Sequence, residues 1–214
     1  MKEAILFITA AVCGYLFAGF NPAIALSKAI YHKDIRECGS GNAGFTNFKR
    51  TFGNKWAWWV LLIDLLKAAV AVGLFAWLFG HFLGEFQLGA VYTGAFAILG
   101  HAYPVFYKFK GGKGVLVCLS TMLVADWRAG LIAAAIMIIL LLTTKYMSLS
   151  TVASMCSCPI LLALFGAPLY VTLISAAIVL FMAYRHKENF KRLVKGTESK
   201  FTIRGKKSTD GEKK

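Results

Sequence analysis

Residues 115–144 read VLVCLSTMLVADWRAGLIAAAIMIILLLTT, and how this stretch divides decides the fold. A helix that spans a bilayer needs about 20 mostly apolar residues. Thirty residues are too many for one ordinary span and too few for two. Asp126-Trp127-Arg128 breaks the run with two charges and a tryptophan, a composition suited to a membrane–water interface. The reading is a short helix over 115–125, a water-facing turn, and a normal span over 129–144.

Other apolar runs lie on both sides. Ala4–Leu26, Trp56–Phe79 and Leu88–Tyr107 precede the stretch. Leu149–Phe165 and Pro168–Tyr184 follow it, separated by Gly166-Ala167-Pro168. Ala4–Leu26 follows Lys2 and has no evident small-residue cleavage site before Asn21-Pro22, so it is read as a retained span.

Charge distribution supports this division. The segment 27–55 holds six Lys/Arg, 108–114 three, Lys145 stands alone, and 185–214 holds eleven. With seven spans, all four segments fall on one face and carry 21 of the 24 Lys/Arg. Basic residues gather on cytoplasmic loops, so that face is cytoplasmic, with the N-terminus outside. A single helix over 115–144 would put the eleven-charge tail outside. The expectation is an all-α, seven-span bundle forming one domain over residues 1–200, with a basic disordered cytoplasmic tail over 201–214.

Composition agrees. The chain has 214 residues, 58% hydrophobic and 16% charged, with a mean hydropathy of +0.63. A soluble domain is about 25% charged. The net charge of +14 suits anionic lipid and phosphate ligands. No aromatic residues interleave with the basic tail, so nucleic acid is not an expected partner. Cys13, Cys38, Cys118, Cys156 and Cys158 are odd in number and contain no CxxC pair, which points to free thiols.

Three polar motifs share the basic face. Gly39-Ser40-Gly41-Asn42-Ala43-Gly44-Phe45-Thr46-Asn47-Phe48-Lys49-Arg50 combines glycines, which let backbone N–H groups approach an anion, with hydroxyl and amide donors and an Arg able to grip two phosphate oxygens. Lys108-Phe109-Lys110-Gly111-Gly112-Lys113-Gly114 leads into the short helix, whose N-terminus favours negative charge. It lacks Walker A spacing and a preceding strand. In the third motif, Arg185–Lys200, His186 and Asn189 would share a face if the last helix continued. The competing readings are a solvated turn, a basic interfacial turn and a lipid-facing helix, respectively.

Asp64 and Lys67 lie three apart inside a span, where charges are costly; a structural brace is the preferred reading. His101, before Pro104, either holds the glycine loop or lines the site. HExxH, Cys/His metal spacing and HxxxxD are absent, so no metal is expected. A transporter of an anionic metabolite is the competing class, although no internal repeat supports it.

These motifs, in this order, resemble the acyl-phosphate:glycerol-3-phosphate acyltransferase family. The carrying residues are Asp34-Ile35-Arg36 through Ser40-Gly41-Asn42-x-Gly44-x-Thr46-Asn47-x-x-Arg50, Asp64-x-x-Lys67, His101-x-x-Pro104 with Phe109–Val115, and His186-x-Glu188-Asn189 with Gly196-Thr197-Glu198. The resemblance spans roughly residues 11–200. It implies a seven-span enzyme of the bacterial inner membrane, acting as a monomer without cofactor, metal, coenzyme A or acyl carrier protein. Its substrates would be acyl phosphate and glycerol 3-phosphate, and its products lysophosphatidic acid and phosphate, at the first step of phospholipid synthesis. The catalytic group would comprise Ser40, Lys113, His186 and Asn189. Arg50, Gly41, Asn42, Gly44, Thr46, Asn47, Lys110, Gly111, Gly112, Gly114 and Glu198 would bind substrate. Two departures stand out: Leu116-Val117 where the family has Ala-Thr, and Phe20-Asn21 where it has Ser-Ile.

Overall fold

The computed structural model describes residues 1–202, all helix and loop. Ten α-helices run in order: α1 (Lys2–Gly19), α2 (Pro22–Tyr31), α3 (Phe45–Phe52), α4 (Ala57–Leu83), α5 (Phe86–Ala102), α6 (Val115–Ala125), α7 (Trp127–Thr144), α8 (Met147–Leu164), α9 (Leu169–Arg185) and α10 (Lys187–Val194). Two 3₁₀ turns, Ile35–Glu37 and Val105–Tyr107, sit in the longer loops.

The expected first span is divided. α1 stops at Gly19 because Pro22 cannot donate to the preceding turn, and Asn21 restarts the chain as the N-cap of α2. Its Oδ1 accepts the Ile24 N–H at 3.0 Å. The decisive stretch divides as expected. Asp126 caps α7 by accepting the N–H groups of Arg128 and Ala129, so α6 ends at Ala125.

Four helical segments, Lys2–Tyr31, Ala57–Leu83, Trp127–Thr144 and Met147–Leu164, are each long and apolar enough to cross a bilayer. α9 with α10 makes a fifth, bent by 56°, and α6 is a shorter apolar helix. Ile8, Leu66, Val70, Leu142 and Leu180 are more than half exposed on the bundle's outside, where lipid is the solvent. The interior is filled by small residues that let backbones approach. α5 lies at the centre, against α1, α4, α6 and α9. At Gly100 of α5, a Cβ would strike the Tyr15 carbonyl of α1, so only glycine permits this crossing. Buried hydroxyls bond to backbone carbonyls, as Ser120 does to Leu65 at 2.9 Å and Ser154 to Ala133 at 2.5 Å.

The two ends of the bundle differ. At one, Tyr170 donates to Glu85 at 2.6 Å and Gln87 to the Ala125 carbonyl at 3.3 Å, joining the turns after α4, α6 and α8. At the other, the four basic segments meet, the last of them described as far as Thr202. Arg36 donates to the carbonyls of Tyr107 at 2.7 Å and Lys110 at 3.3 Å. Lys113 donates to Asn189, and the Phe201 N–H donates to the Lys145 carbonyl at 2.7 Å.

Phe201 and Thr202 are the only residues of the expected tail among those described; 203–214 lie outside them. Phe201 packs over Lys49 and so belongs to the folded unit.

Candidate active site

The first motif folds into two parts. Its glycines form a loop, and Phe45–Phe52 coil into α3 with Gly44 as N-cap. Asn47, expected to meet substrate, is buried beneath the loop instead. Its Oδ1 accepts the Ser40 N–H at 2.9 Å, and its Nδ2 donates to the carbonyls of Cys38 at 2.9 Å and Ile35 at 3.3 Å. Asp34 accepts from Arg36 at 2.7 Å, and that guanidinium holds the Asp34 carboxyl well below the usual range. Since Arg36 also bonds the second loop, the Asp34–Arg36 pair fixes one motif against the other.

The glycine N–H groups have structural partners. Gly111 donates to Ala102 at 3.1 Å and Gly112 to His101 at 3.1 Å, closing the C-terminus of α5. Gly41 donates to Cys38 at 3.0 Å and Gly44 to Asn42 at 3.1 Å. Four of the backbone donors expected to hold phosphate are therefore committed to the fold. Gly112 is where several segments meet: the His101 ring, the Ala43 carbonyl and, through a 2.9 Å bond to the Gly112 carbonyl, Arg185. Gly114 takes φ +84° as N-cap of α6, which has no side-chain cap and leaves its first N–H groups facing the loop.

Beneath this loop, Lys67 lies 2.8 Å from Asp64 and 3.1 Å from His101 Nδ1, and it also donates to the Phe20 carbonyl. This bears out the brace reading and places His101 under the glycine loop. Lys67 closes the C-terminus of α1 at its break.

The third motif does not continue the last helix. The chain bends at His186, the C-cap of α9 and N-cap of α10, so the shared face expected for His186 and Asn189 is lost. His186 is buried, only 3% exposed, with its Nδ1 at 2.9 Å from the Met182 carbonyl. Burial, opposed by that bond, pushes the imidazole down to about 4, so it is neutral at pH 7. Asn189 turns towards the second motif: its Oδ1 accepts from Lys113, and its Nδ2 donates to Glu198 at 2.6 Å. Glu198 also accepts from Ser148 at 3.0 Å and Arg192 at 2.7 Å. Burial would raise its carboxyl; these three bonds outweigh burial and hold it below the ordinary value.

The motifs enclose a cavity of about 330 Å³. Ser40, Gly41 and Asn42 of the first motif, Gly111 and Lys113 of the second, and Asn189 and Arg192 of the third line it. Tyr103, Tyr184, Arg185, Lys187 and Glu188 complete the wall, and sequence reading assigned none of them to the site. Thr46, Asn47, Gly44, Gly112, Gly114, Lys110, Arg50, His186 and Glu198 stand outside the lining. Arg50 is exposed on the last turn of α3, yet near enough for its charge to act on Lys113. Burial, and then the Arg192 charge, push the Lys113 ammonium down to about 8, poised for an anion that would relieve both. The Ser40 hydroxyl has no base bonded to it among the described residues, so no nucleophilic triad is assembled.

A polar, cationic cavity at one end of an apolar bundle suits a substrate with an anionic head and a lipid tail. The family model for glycerol-3-phosphate acyltransferase matches residues 8–196. The chain belongs to this family. A glycerol-3-phosphate acyltransferase of Rhizobium etli (strain CIAT 652) is 39% identical over 92% of this chain and 93% of the relative. One of Thermoanaerobacter pseudethanolicus is 36% identical over 90% and 94%. Among solved structures, the crystal structure of PlsY (YgiH), an integral membrane glycerol 3-phosphate acyltransferase, in its glycerol 3-phosphate form, superposes with a TM-score of 0.84. It is 30% identical, with 92% of this chain and 96% of that chain covered. The lysophosphatidic acid form gives 0.81 at 29% identity. As a member of the acyltransferase family, this chain is an integral membrane protein of phospholipid biosynthesis.

Proposed function

We propose that this protein transfers a fatty acyl group from an acyl phosphate to the 1-hydroxyl of glycerol 3-phosphate, giving lysophosphatidic acid and phosphate. The observation that carries the reading is the convergence of Ser40, Lys113, Asn189 and Arg192 on one polar cavity, with Arg185 and Lys187 in its wall. Both substrates bring a phosphate, and these cations answer that charge.

In the proposed reaction the glycerol hydroxyl oxygen attacks the acyl carbonyl carbon. The bond from that carbon to the phosphate oxygen breaks, and phosphate leaves. Lys113 and Arg192, which line the cavity, hold the two phosphates, with Arg50 and Lys110 adding positive charge from outside the lining. The open N-terminus of α6 adds backbone donors beside Lys113. Ser40 and Asn189 orient the acceptor, while His186, buried outside the lining, supports the bend that carries Asn189. The hydroxyl proton passes to a substrate phosphate oxygen, because a buried imidazole held near 4 is a weak base at neutral pH. An acyl phosphate is already activated, so neither a metal nor a thioester is needed.

The same reading gives seven crossings, by α1 and α4 to α9, with the N-terminus outside and the motif loops in the cytoplasm of a bacterial inner membrane. The grouping of the four basic segments at one end and the α4–α5, α6–α7 and α8–α9 turns at the other supports that alternation. Residues 1–200, with Phe201 packed onto them, act as one unit, and the enzyme as a monomer. The transporter alternative, which an intramembrane charge pair would also suit, is less favoured because Asp64 and Lys67 are tied to each other and to His101.

The test is purified protein given acyl phosphate and glycerol 3-phosphate without added metal. Lysophosphatidic acid and phosphate should form in equal amounts, and acyl coenzyme A should not substitute. Transfer from the thioester alone would overturn the donor assignment.

A further inference from the structure

Lys49 is a buried cation that the proposed chemistry does not use. It is 4% exposed, and its Nζ has no hydrogen-bond partner. Aromatic rings surround it instead: Phe201 at 4.3 Å, Trp58 at 5.7 Å and Phe45 at 6.0 Å from ring centre to ammonium. Such a desolvated ammonium is held by ring faces.

Phe201 arrives from far along the chain. After α10 ends, Gly196 turns the backbone at φ +68°, and the Thr197 N–H returns to the Arg192 carbonyl at 2.8 Å. The strap of residues 195–202 then passes Ser148 at the start of α8 and reaches Lys145, whose carbonyl accepts the Phe201 N–H at 2.7 Å. Three residues before Phe201 lies Glu198, which binds Asn189, Arg192 and Ser148 at once. Asn189 in turn holds Lys113. The strap is therefore anchored by Glu198 beside the site, by the Phe201 N–H on Lys145, and by the Phe201 ring on Lys49 of α3.

We propose that Lys49 and Phe201 form a clasp that holds the strap down and so positions Glu198, and through it Asn189, Lys113 and Arg192, for the reaction. Both are positioning residues: they touch neither substrate nor reacting atoms. α3 carries Arg50 next to Lys49, so the clasp also fixes the distance between the first and third motifs. The inference rests on the acyltransferase reading.

The test uses the full chain purified in detergent, with two readouts: amide exchange of the 195–202 peptide, and kcat and KM for glycerol 3-phosphate with acyl phosphate. Phe201→Ala and Lys49→Met should each speed exchange of that peptide. Each should also lower kcat/KM about tenfold, a size in keeping with a desolvated cation–π contact. Phe201→Tyr and Lys49→Arg should keep both properties near wild type. The double variant should be no worse than the worse single, because both act through one contact. Unchanged exchange in both single variants overturns the clasp; faster exchange with wild-type kcat and KM overturns its positioning role. A wild type inactive with acyl phosphate, whose variants still exchange faster, leaves the clasp standing and defeats the acyl-phosphate donor reading instead.

Discussion

The Lys113 ammonium donates to the side-chain oxygen of Asn189, 76 residues away in the chain. This bond joins the glycine loop before α6 to the helix after α9, and Glu198 extends it to Arg192 and Ser148. Glu198→Gln keeps the shape but removes the charge that Arg192 binds. Hydrogen bonds to charged groups are worth about 1.5–3 kcal/mol. The expected outcome is a fall in kcat/KM of about tenfold together with a loss of about 1 kcal/mol of stability, as neutral hydrogen bonds replace charged ones. Steady-state kinetics beside a melting curve checks it.

The lowered Lys113 ammonium gives a pH signature. A group held at about 8 carries its proton below that value and loses it above. kcat/KM, which reports the free enzyme, should therefore fall as pH rises through about 8. Lys113→Arg keeps the charge at all accessible pH, so in that variant the alkaline fall should disappear even if the absolute rate is lower. An identical alkaline limb in both proteins would assign it to another group.

At Gly112 a methyl group would lie 2.7 Å from the Ala43 carbonyl oxygen and would strike the His101 ring. Neither can retreat, since Asn21 holds Ala43 at 3.1 Å and Lys67 holds His101 at 3.1 Å. Gly112→Ala should cost about 1–3 kcal/mol by overpacking and displace Lys113 with it. Gly73→Ala in α4, where nothing lies within 4 Å, is the matched control and should gain about 0.5–1 kcal/mol. Paired denaturation curves in one detergent decide the comparison.

Removing one member of the buried ion pair should cost more than removing both. Asp64→Leu leaves Lys67 unpaired in the bundle, at about 3–5 kcal/mol. Asp64→Leu with Lys67→Met should recover part of that loss. A double variant less stable than the single would mean that the bond from Lys67 to the Phe20 carbonyl matters more than its charge pairing.

What the sequence could reveal follows from the range of each interaction. α6 ends where expected because Asp126-Trp127-Arg128 is a local signal, charge against an apolar run. The meeting of the three motifs was legible from positive charge alone, since the bilayer sorts charge by face. The division of the first span was signalled by Asn21-Pro22 but masked by continuous hydropathy. The partners of the glycine N–H groups were not legible. Glycine allows both a phosphate cradle and a tight seat against a helix end, and only the fold brings the α5 carbonyls to Gly111 and Gly112. Arg192 joins the cavity through the bend at His186, which no periodicity marks, and Tyr103 joins it at the end of α5, beneath the Arg185 guanidinium. The same bend explains why His186 turns inward to Met182 while Asn189 turns to Lys113.

In the proposed reaction Lys113 meets the substrates in the cavity shared by the three motifs. The most direct measurement is the initial rate of lysophosphatidic acid formation from acyl phosphate and glycerol 3-phosphate, in wild type and Lys113→Ala side by side, with both shown to be folded in detergent. Rapid transfer by the wild type is expected, with a loss of at least about 100-fold in the variant, the scale seen when a preorganised charge stabiliser is removed. A folded Lys113→Ala protein that turns over within a few-fold of wild type would contradict it.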